Sequence, residues 1–261
     1  MSRRAAVIPP YHWWRTVFYL IPAIGVYTIV LGTLSIGSSL FQKSGYFAHW
    51  CARTWARLIL RTTRVAVDVD GLERVQPGGS YVFVSNHQSH YDTALLFAVL
   101  PHQLRIIAKE SLGRFPYLGW HLRRTGHMLV DRRRPDRTAV FEWADRLLAR
   151  GLSLIVYPEG TRSADGRVQR FKAGSFQIAL QAGLPVVPIS VVGSRHVMMK
   201  GRLAAYPGRI RLIVHEPIDT RGLAGTDPKQ FAERVRSIIT PDAESDLSIV
   251  PPDFDALHAR A

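Results

Sequence analysis

The segment NHQSHYD, residues 86–92, directly follows the apolar, β-branched run YVFVS. It sets His87 and Asp92 where a strand should give way to a helix. A histidine steered by a carboxylate is suited to taking a proton, because the carboxylate fixes one ring nitrogen and leaves the other as a base. On one regular helix, five residues correspond to about 500°, so the two side chains would diverge by ~140°. They can meet only if His87 lies in the turn and Asp92 in the first helical turn, where the helix dipole also favours an acid. Other readings stand beside this one. His87 could cap a helix, and His87, His90 and Asp92 could hold a metal, although H-E-x-x-H is absent and no further ligand is evident. Ser85 or Ser89 could be a nucleophile, but neither sits in a G-x-S-x-G elbow.

A second cluster lies about 70 residues on. YPEGTRS, residues 157–163, follows the apolar run LSLIV and precedes FKAGS, residues 171–175. Pro158, Gly160 and Gly174 supply turn conformations, and Arg162 and Lys172 bring two cations to one loop region. Arginine grips a phosphate through paired hydrogen bonds and lysine adds a compact charge. Glu159 could orient Arg162 or meet a substrate hydroxyl. The plain alternative is a surface loop with solvated charges.

The elements that must carry these residues read as α/β from about Val65. Strands are expected at VAVDV, YVFVS, LRIIA, HMLVD, LSLIVY, PVVPISVV and RIRLIV. Helices are expected at His90–Val99, Pro135–Arg150, Gly174–Ala182 and Asp227–Ile239. This alternation predicts one sheet covered by helices. Upstream, residues 17–41 contain no charge, and about 25 residues at ~1.5 Å each give roughly 37 Å of helix, enough to cross or dip into a bilayer. Pro22 and several glycines could kink it. In the next segment Phe47, Trp50, Cys51, Trp55, Leu58 and Ile59 recur at helical spacing, with Arg53, Arg57 and Arg61 on other faces. That pattern fits a lipid interface or a core helix.

The net charge is +14. Five acids against Arg260 leave the tail from Thr240 at −4, so the remainder carries +18 and must face something anionic. Cys51 is the single cysteine, which excludes an internal disulfide and argues against a cysteine-based zinc site. Walker and G-x-G-x-x-G patterns are absent, and no nucleic-acid module is recognisable.

NHQSHYD followed by YPEGTRS resembles the glycerolipid acyltransferase family, which includes the 1-acylglycerol-3-phosphate O-acyltransferases; its first motif is N-H-x-x-x-x-D and its third F/Y-P-E-G-T-R. Between them GHMLVDR, residues 126–132, is similar to the second motif, with Met128-Leu129 in place of the usual pair, and VVPIS, residues 186–190, is similar to the fourth. The resemblance spans roughly residues 65–214. With the patterns above, the chain divides into an N-terminal membrane-associated segment over 1–64, a mixed-sheet acyltransferase domain over residues 65–239 and, from its Pro- and Asp-rich composition, a loosely ordered acidic tail over 240–261. The resemblance further implies transfer without an acyl-enzyme: His87, oriented by Asp92, takes the proton of a glycerol hydroxyl as that oxygen attacks a thioester. Arg132, Glu159, Gly160, Thr161 and Arg162 would form the acceptor site, supported by Lys109 and Lys172. Backbone N–H groups near Gly160 or His87 are possible oxyanion donors. The implied donor is acyl-CoA or acyl carrier protein, with no cofactor and no metal. The expected setting is a membrane, the inner one if the source is bacterial, and the basic residues, denser after the apolar segment than before it, put the catalytic domain towards the cytosol. The acceptor would be 1-acylglycerol 3-phosphate, with another lysophospholipid or a lyso-aminolipid as the alternative. A basic lipid-binding protein without catalysis is the rival from a different class.

Overall fold

The computed structural model describes residues 11–41, 45–131 and 137–247. All seven expected strands form, as β1 (Val65–Asp70), β2 (Val82–Ser85), β3 (Leu104–Lys109), β4 (Met128–Val130), β5 (Ser153–Val156), β6 (Val186–Val192) and β7 (Gly208–Val214). They make one sheet in the order β1-β7-β6-β2-β5-β3-β4. Every pairing is parallel except that of β6 with β7, so the sheet is mixed. Central β2 and β5 are buried at every position, which is why VFVS and SLIV are apolar apart from one small serine each. The outer strand β1 is nowhere fully buried, and its Asp68 and Asp70 meet Arg209 and Arg211 of β7 in exposed ion pairs.

The helices are α1 (Tyr11–Ser38), α2 (Tyr46–Thr63), α3 (Tyr91–Val99), α4 (Leu118–Arg124), α5 (Arg137–Leu148), α6 (Gly174–Ala182), α7 (Ser194–Val197) and α8 (Pro228–Ala243). One core joins α1, α2 and α3 to the sheet through Leu20, Ile59, Leu95, Phe83 and Ile189. The other joins α5, α6 and α8 to the opposite face through Trp143, Phe176, Val235 and Val84.

Several boundaries differ from expectation. α1 is described from Tyr11, upstream of the uncharged stretch, and its Thr16–Leu20 segment, one residue short of Pro22, is a π-helix. Proline lacks an N–H and crowds the carbonyl four residues earlier, and the wider turn accommodates both effects. The apolar residues of α2 split: Cys51 and Ile59 face inward while Phe47 and Trp50 are exposed. Its arginines turn to the protein, Arg53 donating to the Phe97 and Leu100 carbonyls and Arg57 to that of Ala98, which closes the C-terminus of α3. α4 was not anticipated. Its Gly119 lies against Gly113, where a Cβ would come within 2.3 Å of the carbonyl oxygen. α8 runs beyond Ile239 to Ala243, and Asp246 is buried against His196, so the expected loose tail does not begin at residue 240. Residues 248–261 lie outside the described residues.

Candidate active site

β6, β2, β5 and β3 run the same way, so their C-terminal ends share one edge of the sheet. Open α/β sheets bind ligands at that edge. Asn86 directly follows β2 there. Its side-chain amide donates to the Val191 carbonyl at 2.9 Å and its oxygen accepts the Val191 N–H at 2.8 Å. The side chain thus imitates one more rung of the β2–β6 ladder while the backbone leaves the sheet.

His87 follows in the turn and Asp92 in the first turn of α3, as the spacing required. His87 Nδ1 lies 2.8 Å from Asp92 Oδ2. The same oxygen accepts the N–H groups of Gln88 and Ser89 at 2.7 and 2.8 Å, and Asp92 is fully buried. A carboxylate oxygen with two amide donors stays a fixed acceptor, so Nδ1 carries the proton and Nε2 the lone pair. The ring is stacked on Tyr157, centroids 4.1 Å apart, and the Tyr157 hydroxyl lies 3.2 Å from that of Thr93. Burial, then the Asp92 charge, pushes the Tyr157 hydroxyl above its ordinary pKa, keeping it neutral.

The second motif wraps the first. Glu159, 4% exposed, accepts the His87 N–H on Oε1 at 2.7 Å and the Gln169 N–H on Oε2 at 3.0 Å. The Ser163 N–H returns to the His87 carbonyl at 2.7 Å. Glu159 therefore braces the turn, where it had been expected to orient Arg162 or meet a hydroxyl. Burial raises its pKa to about 7, against the two amide donors that lower it. Of the N–H groups suggested as oxyanion donors, those of Gly160 and His87 themselves are committed, since the Gly160 N–H bonds the Tyr157 carbonyl and that of His87 bonds Glu159.

Arg162 is half-buried beside the pair. Partial burial lowers its pKa and the Asp92 charge opposes that shift; partial burial and then the Arg162 charge lower His90. Lys200 of the segment after α7 donates to the Arg162 carbonyl at 2.7 Å. Gly160 is left-handed at φ 72°, and a Cβ there would lie 2.5 Å from Lys172 Nζ, so the lysine amine crosses this loop. Thr161 is exposed on the same loop, and Lys109 is exposed at the end of β3. Arg132 lies outside the described residues. Among the described residues no group of three metal-ligating side chains forms.

Beneath this edge is an apolar cavity of about 450 Å³, absent from any sequence expectation. α1 supplies Leu20, Ile24 and Leu31, α2 supplies Trp55, and α3 supplies Thr93 and Ala94. Thr93 joins the two features, since its hydroxyl touches Tyr157 under the His87 ring.

Comparison with known proteins places this arrangement. A 1-acyl-sn-glycerol-3-phosphate acyltransferase of Pseudomonas aeruginosa is 31% identical over 228 residues, covering 84% of this chain and 85% of that one. The chain belongs to the acyltransferase family. The family model described as Acyltransferase matches residues 66–192, which include both halves of the site. A chloroplastic 1-acyl-sn-glycerol-3-phosphate acyltransferase of Brassica napus is 34% identical over 74% of this chain and 58% of its own. The chain spans between about half and three fifths of such chloroplastic relatives. The crystal structure of a 1-acyl-sn-glycerophosphate acyltransferase of Thermotoga maritima has the same acyltransferase fold, with TM-score 0.78 and 27% identity over 91% of this chain and 97% of that one.

Proposed function

We propose that the protein transfers an acyl group from a thioester to the free hydroxyl of 1-acylglycerol 3-phosphate, making phosphatidic acid. The observation that carries this is His87, fixed on Asp92 beside Arg162 and linked through Tyr157 and Thr93 to an apolar cavity. His87 Nε2 takes the hydroxyl proton as the substrate oxygen attacks the thioester carbonyl. The tetrahedral oxyanion then collapses, the carbon–sulfur bond breaks, and the thiolate leaves with the proton held by His87. No protein nucleophile is needed, which fits the absence of a nucleophile elbow. Arg162, with Lys172 across the loop, receives the phosphate. The donor's chain enters the cavity, so the thioester carbonyl lies at its mouth near Thr93. Acyl-CoA and acyl carrier protein both supply that thioester.

The N-terminal segment fits an acceptor that resides in a bilayer. α1 is pinned to the domain near both ends: Thr16 Oγ1 accepts the Ala205 N–H at 2.9 Å, and Ser35 Oγ lies 2.7 Å from His121 Nδ1. Its outer face shows Phe18, Ile29, Val30 and Leu34, beside exposed Phe47, Trp50 and Trp120. A helix tied to one domain at both ends lies along it, so this surface enters a single leaflet without crossing.

The test is thiol release by purified protein from an acyl thioester in the presence of lysophosphatidate and of other lysolipids. His87→Ala should lower acceptor-dependent release by ~10²–10⁴. A wild-type protein that binds lipid without releasing thiol would be a lipid-binding protein, and undiminished release by the variant would remove His87 from the mechanism.

A further inference from the structure

One wall of the cavity is polar. His121 and His127 line it, and Arg105 and His49 lie behind them. Arg105 is 3% exposed. Its Nη1 donates to the Leu104 carbonyl at 2.9 Å, its Nε has no partner, and no carboxylate pairs with it among the described residues. A buried guanidinium without an acid is costly, and the cost falls when an acceptor reaches the group or its neighbours. Burial first, and then the Arg105 charge, lowers the pKa of all three histidines, His49 and His121 to about 4. They are therefore neutral, and the charge of the group stays on Arg105.

The tautomer of His127 follows from its backbone partner. Its Nδ1 lies 3.1 Å from the Ile106 nitrogen, whose N–H can only donate. Nδ1 is thus the acceptor, and the neutral ring holds its proton on Nε2. The wall presents a hydrogen-bond donor at a place where the rest of the lining offers mainly hydrocarbon.

Strand registers place it far from the reacting centre. Phe83 is level with Ile155, Ile155 with Ile106, and Ile107 with Met128, so His127 is level with Phe83 three strands away. His87 lies four residues beyond Phe83. Strand spacing and rise put the two histidines roughly 20 Å apart, the reach of a long acyl chain.

We propose that this wall binds an oxygen at the far end of the donor's acyl chain, a terminal hydroxyl or carboxylate accepting from His127 Nε2 beside the Arg105 charge. The inference rests on the acyltransferase reading. A methyl terminus would leave the donor unanswered, whereas an oxygen satisfies it.

The experiment compares palmitoyl-CoA with its ω-hydroxy and ω-carboxy counterparts as competing donors to lysophosphatidate. Wild-type protein should favour an ω-oxygenated chain by about tenfold, and His127→Phe should erase or reverse that ratio. A carboxylate arm ahead of the hydroxyl arm would identify Arg105 as the discriminating charge, and the reverse order would assign recognition to His127 alone. Preference of the wild type for palmitoyl, or a ratio unmoved by His127→Phe, would show the wall to be merely hydrated and overturn the proposal. His127→Gln, which keeps an amide donor in the wall, serves if His127→Phe does not fold, and it should retain part of the preference for the ω-oxygenated chain. Calorimetric binding of ω-hydroxypalmitate against palmitate needs no turnover. A loss of transfer with every donor therefore strikes the acyltransferase reading, while the binding ratio still decides the wall.

Discussion

The two faces of the sheet are filled differently. On one, α5, α6 and α8 close a continuous core in which Phe176 stacks on Phe171 and meets Phe231 edge-on. On the other, α1, α2 and α3 leave about 450 Å³ open between themselves and the strands. The helices match this contrast: α8 sets Phe231, Val235 and Ile239 inward and charged residues outward, whereas α1 is apolar on both sides. The first face is packed throughout, and the second gives up packing for space and leaves apolar side chains of α1 and α2 exposed.

The comparison can be broken by mutation. Phe176→Ala should cost ~3–5 kcal/mol in denaturant unfolding, because a fully buried ring leaves a void between two others. A cost below ~1 kcal/mol would mean that this face is not the rigid one.

Glu159 sits where the faces meet the site, and its titration supplies the next test. Its folded pKa of about 7 exceeds the ordinary 4.5, so the folded chain binds that proton more tightly than the unfolded chain. The resulting stabilisation is complete below pH 4.5 and is lost as pH rises through 7. Its size is on the order of 1–3 kcal/mol. Glu159→Gln should flatten that part of the stability–pH curve, and its single oxygen leaves one of the His87 and Gln169 N–H groups without an acceptor. An unchanged slope in the variant would refute the assignment.

The smallest effect is the most direct comparison of the faces. Ala179→Phe overpacks the closed core and should destabilise by ~1–3 kcal/mol. Ala94→Phe projects into the cavity and should cost less than half as much, while shortening the acyl chains that the enzyme accepts. Equal losses from the two substitutions, with unchanged chain preference, would show that the open space is not used.

What could be read beforehand followed sequence distance. The seven strands were legible because buried parallel strands need continuous apolar runs. The pairing of His87 with Asp92 was legible because a five-residue separation permits contact only across a strand-to-helix turn. Arg162 could be set near them only through the family motif, since β2 and β5 become neighbours by folding. α4 escaped notice because a short helix containing Gly119 lacks a strong period. The cavity, and the meeting of His49, Arg105 and His127 behind it, had no linear signal, because each depends on how separate helices and strands close over one another. The role of Glu159 was misjudged for a related reason: its partners are backbone amides, which every residue type carries.

Asn86 has a chemical consequence of its own. Its two amide atoms face a carbonyl and an N–H of the same residue, so oxygen and nitrogen cannot exchange places without setting like against like. Hydrolysis of this one amide to an acid, a change of a single heavy atom, would press oxygen on oxygen at the seam and release the strand end that presents the histidine. Complete exclusion of solvent from Asn86 protects the protein against that form of ageing.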